Sequence, residues 1–103
     1  MIESLEKMLA KGVDNSLLRF GLGKGYLDAG EAPRAVEHLR HCVALDPAYS
    51  AAWKLLGKAL QQQGDLAAAR QAWADGIVAA QAKGDKQAEK EMTVFIRKLD
   101  RLQ

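Results

Sequence analysis

His38, His41 and Cys42 are the chain's one cluster of metal-ligand residue types. The two histidines stand one helical turn apart and Cys42 follows His38 by four positions, so three donors on one helix make a metal site geometrically conceivable. The same spacing has a plainer reading. Cys42 then serves as a small buried side chain, and the histidines lie beside it toward the outer surface, where Glu37 pairs with His41. One cysteine and two histidines are a thin supply for a closed site, and a single cysteine forms no internal disulfide, so neither metal nor cofactor is expected. Ser4, Ser16 and Ser50 lie near helix starts, where capping or first-turn solvation accounts for them. There is no nucleophile elbow, phosphate-cradling glycine loop or carboxylate pair flanking a cleft, and the chain is not read as an enzyme. What remains is electrostatic. Lys54 and Lys58 put two like charges on one helical face, at a local cost of about 0.2 to 0.5 kcal/mol, a cost that an acidic ligand would offset. Glu89, Lys90 and Glu91 read as a solvated face, and Arg97, Lys98 and Arg101 complement the negative end of a helix dipole.

The elements that position these residues are set by length and punctuation. A chain of 103 residues, 49% hydrophobic and 27% charged, has room for one domain with a radius of gyration of about 13 Å. Fifteen Lys and Arg against thirteen Asp and Glu leave a net charge of +2, too small a surplus to attract nucleic acid or an anionic membrane by itself. No segment nears the roughly 20 apolar residues of a membrane span, and the first residues lack a secretory pattern, so a cytoplasmic protein is expected. Lys11-Gly12, Asp14-Asn15-Ser16, Gly30, Asp46-Pro47, Gly64-Asp65 and Gly84-Asp85 cut the sequence into pieces of helical length. Within the pieces the apolar residues recur at helical spacing, as in Leu18, Leu22 and Tyr26, or Leu66, Ala69, Trp73 and Ile77. About six helices with short connections must run antiparallel to their sequence neighbours, and the class is all-α.

A shift of 34 residues aligns Ser16 with Ser50, Leu22 with Leu56, Gly23 with Gly57, Lys24 with Lys58, Gly30 with Gly64 and Ala35 with Ala69. The run Trp53-Lys54-Leu55-Leu56-Gly57-Lys58-Ala59-Leu60, followed by Gly64, Ala69 and Trp73, resembles the tetratricopeptide repeat. Arg19 stands where Trp53 does, and Gln81 where Pro47 does. The small residues have a packing reason: Gly23 and Gly57, facing Ala35 and Ala69, are expected to let paired backbones approach closely. The divisions that follow are an N-terminal half-repeat helix over 1–12, a first repeat over 16–49, a second over 50–83 and a capping helix over 85–102.

The resemblance implies a right-handed α-solenoid whose first helices build a concave wall that holds a peptide or partner segment. Leu17, Phe20, Lys24, Leu27 and Asp28, with Ala51, Lys54, Lys58, Gln61 and Gln62, are not needed for packing within pairs. The candidate groove is Phe20, Lys24, Leu27, Lys54, Lys58 and Gln61, with Phe20 and Leu27 as apolar anchors for a segment of acidic and hydrophobic character. A plainer reading has the lysines solvating a surface helix. The carboxylate-gripping set of some family members is missing, since the matching positions hold Phe20, Lys24, Leu55, Asp85 and Glu89. The expected activity is that of a non-catalytic adaptor or scaffold for protein binding. The alternative is a structural subunit that self-associates, weakly, or completes a larger assembly through the last helix, whose stripe of Met92, Phe95, Ile96, Leu99 and Leu102 is broad for a cap.

Overall fold

The turns set the helix boundaries. The computed structural model describes Met1–Leu102 as six helices: α1 (Ile2–Ala10), α2 (Ser16–Asp28), α3 (Ala32–Leu45), α4 (Ser50–Gln62), α5 (Leu66–Lys83) and α6 (Lys86–Arg101). Asp65 and Asp85 cap α5 and α6 by accepting the amides of Ala68 and Ala88 at 3.2 and 3.1 Å, which satisfies donors a first helical turn leaves free. Gly64 and Gly84, just before them, adopt left-handed φ values of 86° and 74°, a conformation that costs a side chain of L configuration about 1–2 kcal/mol. Pro33 sits in the first turn of α3, where a missing N–H is no loss. Ser16 does not cap α2, because Asn15 precedes it and accepts the Leu18 amide at 2.8 Å. Ser50 is buried instead of solvated, and donates to Asp85 Oδ2 at 2.9 Å, tying the start of α4 to the start of α6.

Sequential helices pack in antiparallel order, and α2, α4 and α6 also touch one another in a row. Helices α3 and α5 make no contact with each other, so they splay apart on the opposite side. The result extends 43 × 29 × 17 Å with a radius of gyration of 13.4 Å.

Glycines hold the interfaces together, although not in the arrangement expected of them. A Cβ added at Gly23 would collide with the Leu39 side chain, and one at Gly57 with the Trp73 indole. The expected partners, Ala35 and Ala69, are fully buried but lie one turn earlier on the same helices. Removing a side chain altogether leaves a notch deep enough for a large residue, and the large residue is what enters it. Trp73 illustrates the consequence: it is 1% exposed, its ring lies on Gly57, Phe95 of α6 meets it at 5.2 Å, and its Nε1 donates to the Lys54 carbonyl at 3.1 Å. Burial of the indole therefore strands no polar atom. Gly76 of α5 plays the same part toward α6, since a Cβ there would lie 2.5 Å from Met92 Sδ and 2.6 Å from Trp53 Cβ.

These contacts separate two kinds of glycine. Gly57→Ala is expected to lower stability by about 3 kcal/mol through overpacking against Trp73, whereas Gly64→Ala meets no atom within 4 Å and loses only its backbone preference, about 1–2 kcal/mol. Urea unfolding followed by circular dichroism checks the order; equal losses would show that the notch is not rigid.

Candidate interaction surface

The row α2, α4, α6 forms one continuous wall. On α2 the exposed residues Leu17, Lys24 and Asp28 recur at i, i+7 and i+11, a single stripe facing away from the packed flanks. Leu17 is 72% exposed, the largest apolar area on that stripe. Lys24 pairs with Asp28 at 3.2 Å, in an exposed i, i+4 arrangement. On α4 the half-buried Lys54, Leu55 and Lys58 and the exposed Gln61 and Gln62 continue the surface.

The residues expected to line a groove are thus placed unequally. Lys24 and Gln61 are exposed. Phe20 is half-buried and stacks on Tyr49, ring centroids 4.8 Å apart at 18°, so part of its face is already occupied. Leu27 is 8% exposed and belongs to the core, because α1, α3 and α4 all crowd α2 and leave only the Leu17, Lys24, Asp28 stripe open. Lys54 is not an uncompensated charge beside Lys58: its Nζ meets Glu91 Oε1 of α6 at 3.2 Å. Lys58 lies over the Phe95 ring, 5.1 Å from its centroid, a cation–π contact. The like-charge cost read from the spacing is therefore relieved from within the molecule.

The last helix also differs from its sequence reading. Glu89 accepts from Gln81 Nε2 at 3.0 Å and Glu91 from Lys54, so these half-exposed carboxylates are tied to neighbouring helices, while Lys90 between them is exposed. Met92 and Leu99 are buried and Phe95 packs on Trp73, while Leu102 is 77% exposed and stands outside the packed stripe. A cation at Arg70 grips Asp100 through two bonds of 2.8 and 3.0 Å, and that hydrogen bonding holds the Asp100 carboxyl below its ordinary range.

A second, outward surface was not anticipated. Where α3 and α5 splay, a recess of about 450 Å³ opens over Trp53 and Leu56, with Arg40 and Asp75 at its rims. Trp53 is partly buried there and donates from Nε1 to the Pro47 carbonyl at 2.8 Å.

Comparison with known proteins agrees with this architecture. The family model described as tetratricopeptide repeat matches residues 26–88. The chain belongs to the tetratricopeptide-repeat family. A Pseudomonas aeruginosa protein named as TPR repeat-containing is 76% identical over 101 residues, covering 98% of this chain and 96% of its own. The solution structure of a Bordetella parapertussis protein is 55% identical, covers 98% of this chain and 88% of its own, and superposes with a TM-score of 0.85. A tetratricopeptide repeat domain protein from Salinibacter ruber shares the fold at a TM-score of 0.81 and 24% identity, over 87% of this chain and 100% of its own. Tetratricopeptide repeats in general are protein–protein interaction modules. Among the described residues, no helix is long and apolar enough to cross a membrane.

Within this tetratricopeptide array the departure at Arg19 has a structural answer. Arg19 is 8% exposed and forks onto Asp14 with bonds of 2.8 and 2.9 Å. Its Nη1 lies 3.0 Å from Nδ1 of His38. His38 is buried, not turned outward beside Cys42, because Arg19 occupies one edge of its ring and Tyr26 stacks on its face at 5.5 Å. Tyr26 in turn donates to Glu6 of α1, a bond that pushes its hydroxyl pKa up. Cys42 is fully buried, donates to the Ser16 carbonyl at 3.2 Å, and burial pushes its thiol up to about 11. The spatial pairing had a sequence signal: a shift of 34 residues aligns Arg19 with Trp53 and His38 with Ala72. One repeat places a large ring beside a small residue where the other places two polar groups.

Arginine only donates, so Nδ1 of His38 must present its lone pair to Arg19 and the imidazole must be neutral. Burial lowers the His38 pKa first, and the Arg19 charge and His41 act in the same direction against Glu6 and Glu37. A depressed pKa in the fold gives stability that is present above the ordinary histidine value and lost as pH falls through the folded one. The urea midpoint is therefore expected to drop between about pH 7.5 and pH 5, and the slope to flatten in His38→Phe. An unchanged slope in that variant would assign the pH dependence to other groups.

Proposed function

We propose that the protein is a non-catalytic adaptor of the cytoplasm that holds a peptide segment of a partner protein on the wall built by α2, α4 and α6, with repeats over 16–49 and 50–83, a half-repeat before them and a cap after them. The observation that carries this reading is the continuous row of first helices, which brings the repeat-equivalent Lys24 and Lys58 onto one surface with Leu17 exposed beside Lys24. A cation from each repeat next to an exposed leucine favours a segment with acidic and apolar residues. Lys54 contributes less than its sequence position suggests, because its pair with Glu91 is half-buried, whereas the Lys24–Asp28 pair is exposed and weak. Gln61 and the free part of Phe20 border the same wall, whereas Leu27 supports it from beneath. The short array offers less than the roughly 800 Å² per partner of a standard interface, so binding is modest.

The test is an amide chemical-shift titration with short peptides alternating Glu and Leu, against peptides alternating Lys and Leu. The acidic series is expected to move signals of Leu17, Lys24 and Lys58. The double variant Lys24→Glu, Lys58→Glu should weaken it about tenfold without altering helicity. Equal affinity for both series, or for the variant, would overturn the groove.

A further inference from the structure

Helix α6 sorts its charges by direction. Each of its three carboxylates is engaged by a neighbouring helix, Glu89 by Gln81, Glu91 by Lys54 and Asp100 by Arg70. Lys86, Lys90 and Arg97 are exposed and enter none of the ion pairs found among the described residues. At i, i+4 and i+11 they form one line, opposite the buried Ala88, Met92 and Leu99. With Thr93 and Val94 the line borders a shallow hollow of about 350 Å³, and Glu89 stands at its edge.

The position of that line in the array matters. Helix α2 is packed by α1 and α3, and α4 by α3 and α5, whereas α6 packs only on α5 and α4. The outward face of α6 is where another helix would stack, and it carries cations where the other faces carry apolar residues. An apolar helix would strip water from three charges there without replacing it. A helix with carboxylates would not.

We propose that the outward face of α6 docks an acidic helix of a partner protein, alongside Lys86, Lys90 and Arg97. The spacing decides for a helix. Along the axis the cations are separated by about 6 Å and about 10 Å, the spacing that carboxylates at i, i+4 and i+11 have on a neighbouring helix lying alongside. Val94 and Thr93 lie between the second and third cations, and Val94 is 43% exposed, which gives the partner an apolar contact at the centre of its charged edge. A duplex nucleic acid fits less well: its phosphates wind away from a straight line, and the net charge of +2 is small.

The test is an NMR titration of the whole chain with a stapled helical peptide bearing Glu at i, i+4 and i+11. Its comparison ligands are a peptide of the same composition with Glu spread around the helix, a DNA duplex, and phosphatidylserine vesicles. The aligned peptide is expected to shift the amides between Lys86 and Arg97, to weaken with salt, and to lose about tenfold in affinity in the triple variant Lys86→Glu, Lys90→Glu, Arg97→Glu. The neutral triple Lys86→Gln, Lys90→Gln, Arg97→Gln should show a smaller loss in the same direction and serves if charge reversal disturbs folding. Lys24→Glu with Lys58→Glu should leave this binding unchanged, which separates it from the inner wall. No shift on α6, equal affinity for the scrambled peptide, or tighter binding of DNA or vesicles would overturn the proposal.

Discussion

The structure depends on the entry of large side chains into glycine notches. Leu5 and Ile2 of α1 lie against Gly21 and Gly25 of α2, Leu39 of α3 enters at Gly23, Trp73 of α5 at Gly57, and Met92 of α6 at Gly76. A notch fixes the height at which two helices meet as well as their separation, because a bulky residue fits at only one position along the axis. Repeating the notch at Gly23 and Gly57 repeats the helix geometry, and that repetition makes an array in which α2, α4 and α6 line up. The interaction surfaces are what this arrangement leaves uncovered.

Polar pairing between helices refines those surfaces. Lys54 with Glu91, Arg70 with Asp100, and Ser50 with Asp85 all join α6 or its cap to the second pair of helices. The exposed pair, Arg70 with Asp100, adds little to stability by itself. The larger effect of these contacts is on availability, since the carboxylates of α6 are engaged by Gln81, Lys54 and Arg70 and, among the described residues, form no ion pair with the outward Lys86, Lys90 and Arg97. At the other end, Asp14, Arg19 and His38 join the segment before α2 to α3, while Tyr26 and Glu6 bring in α1. A buried arginine held by both Asp14 and His38 is costly to disrupt, so this end of the array is joined by polar contacts where the other is joined by an indole.

Much of the fold was legible because its signals are local. The Gly-Asp pairs at 64–65 and 84–85 place a left-handed residue and an N-cap side by side, and both act as their chemistry dictates. The binding surface was legible only in part. Lys24 and Gln61 are open as their positions suggest, but Leu27 is buried, Phe20 is half-covered by Tyr49, and Lys54 is neutralised. Spacing along one helix tells which residues share a face; it does not tell which neighbouring helix covers that face.

By itself the sequence determined six helices, their boundaries, the 34-residue register and membership of an all-α repeat class, because periodicity and capping act over a few residues. Only the tertiary structure decided which charges stay free and which histidine goes inside. Glu91 reaches Lys54 across 37 positions, Asp100 reaches Arg70 across 30, and His38 reaches Arg19 across 19. Such pairs form when packing brings separate helices within a few ångströms, and the glycine notches set the height at which that happens.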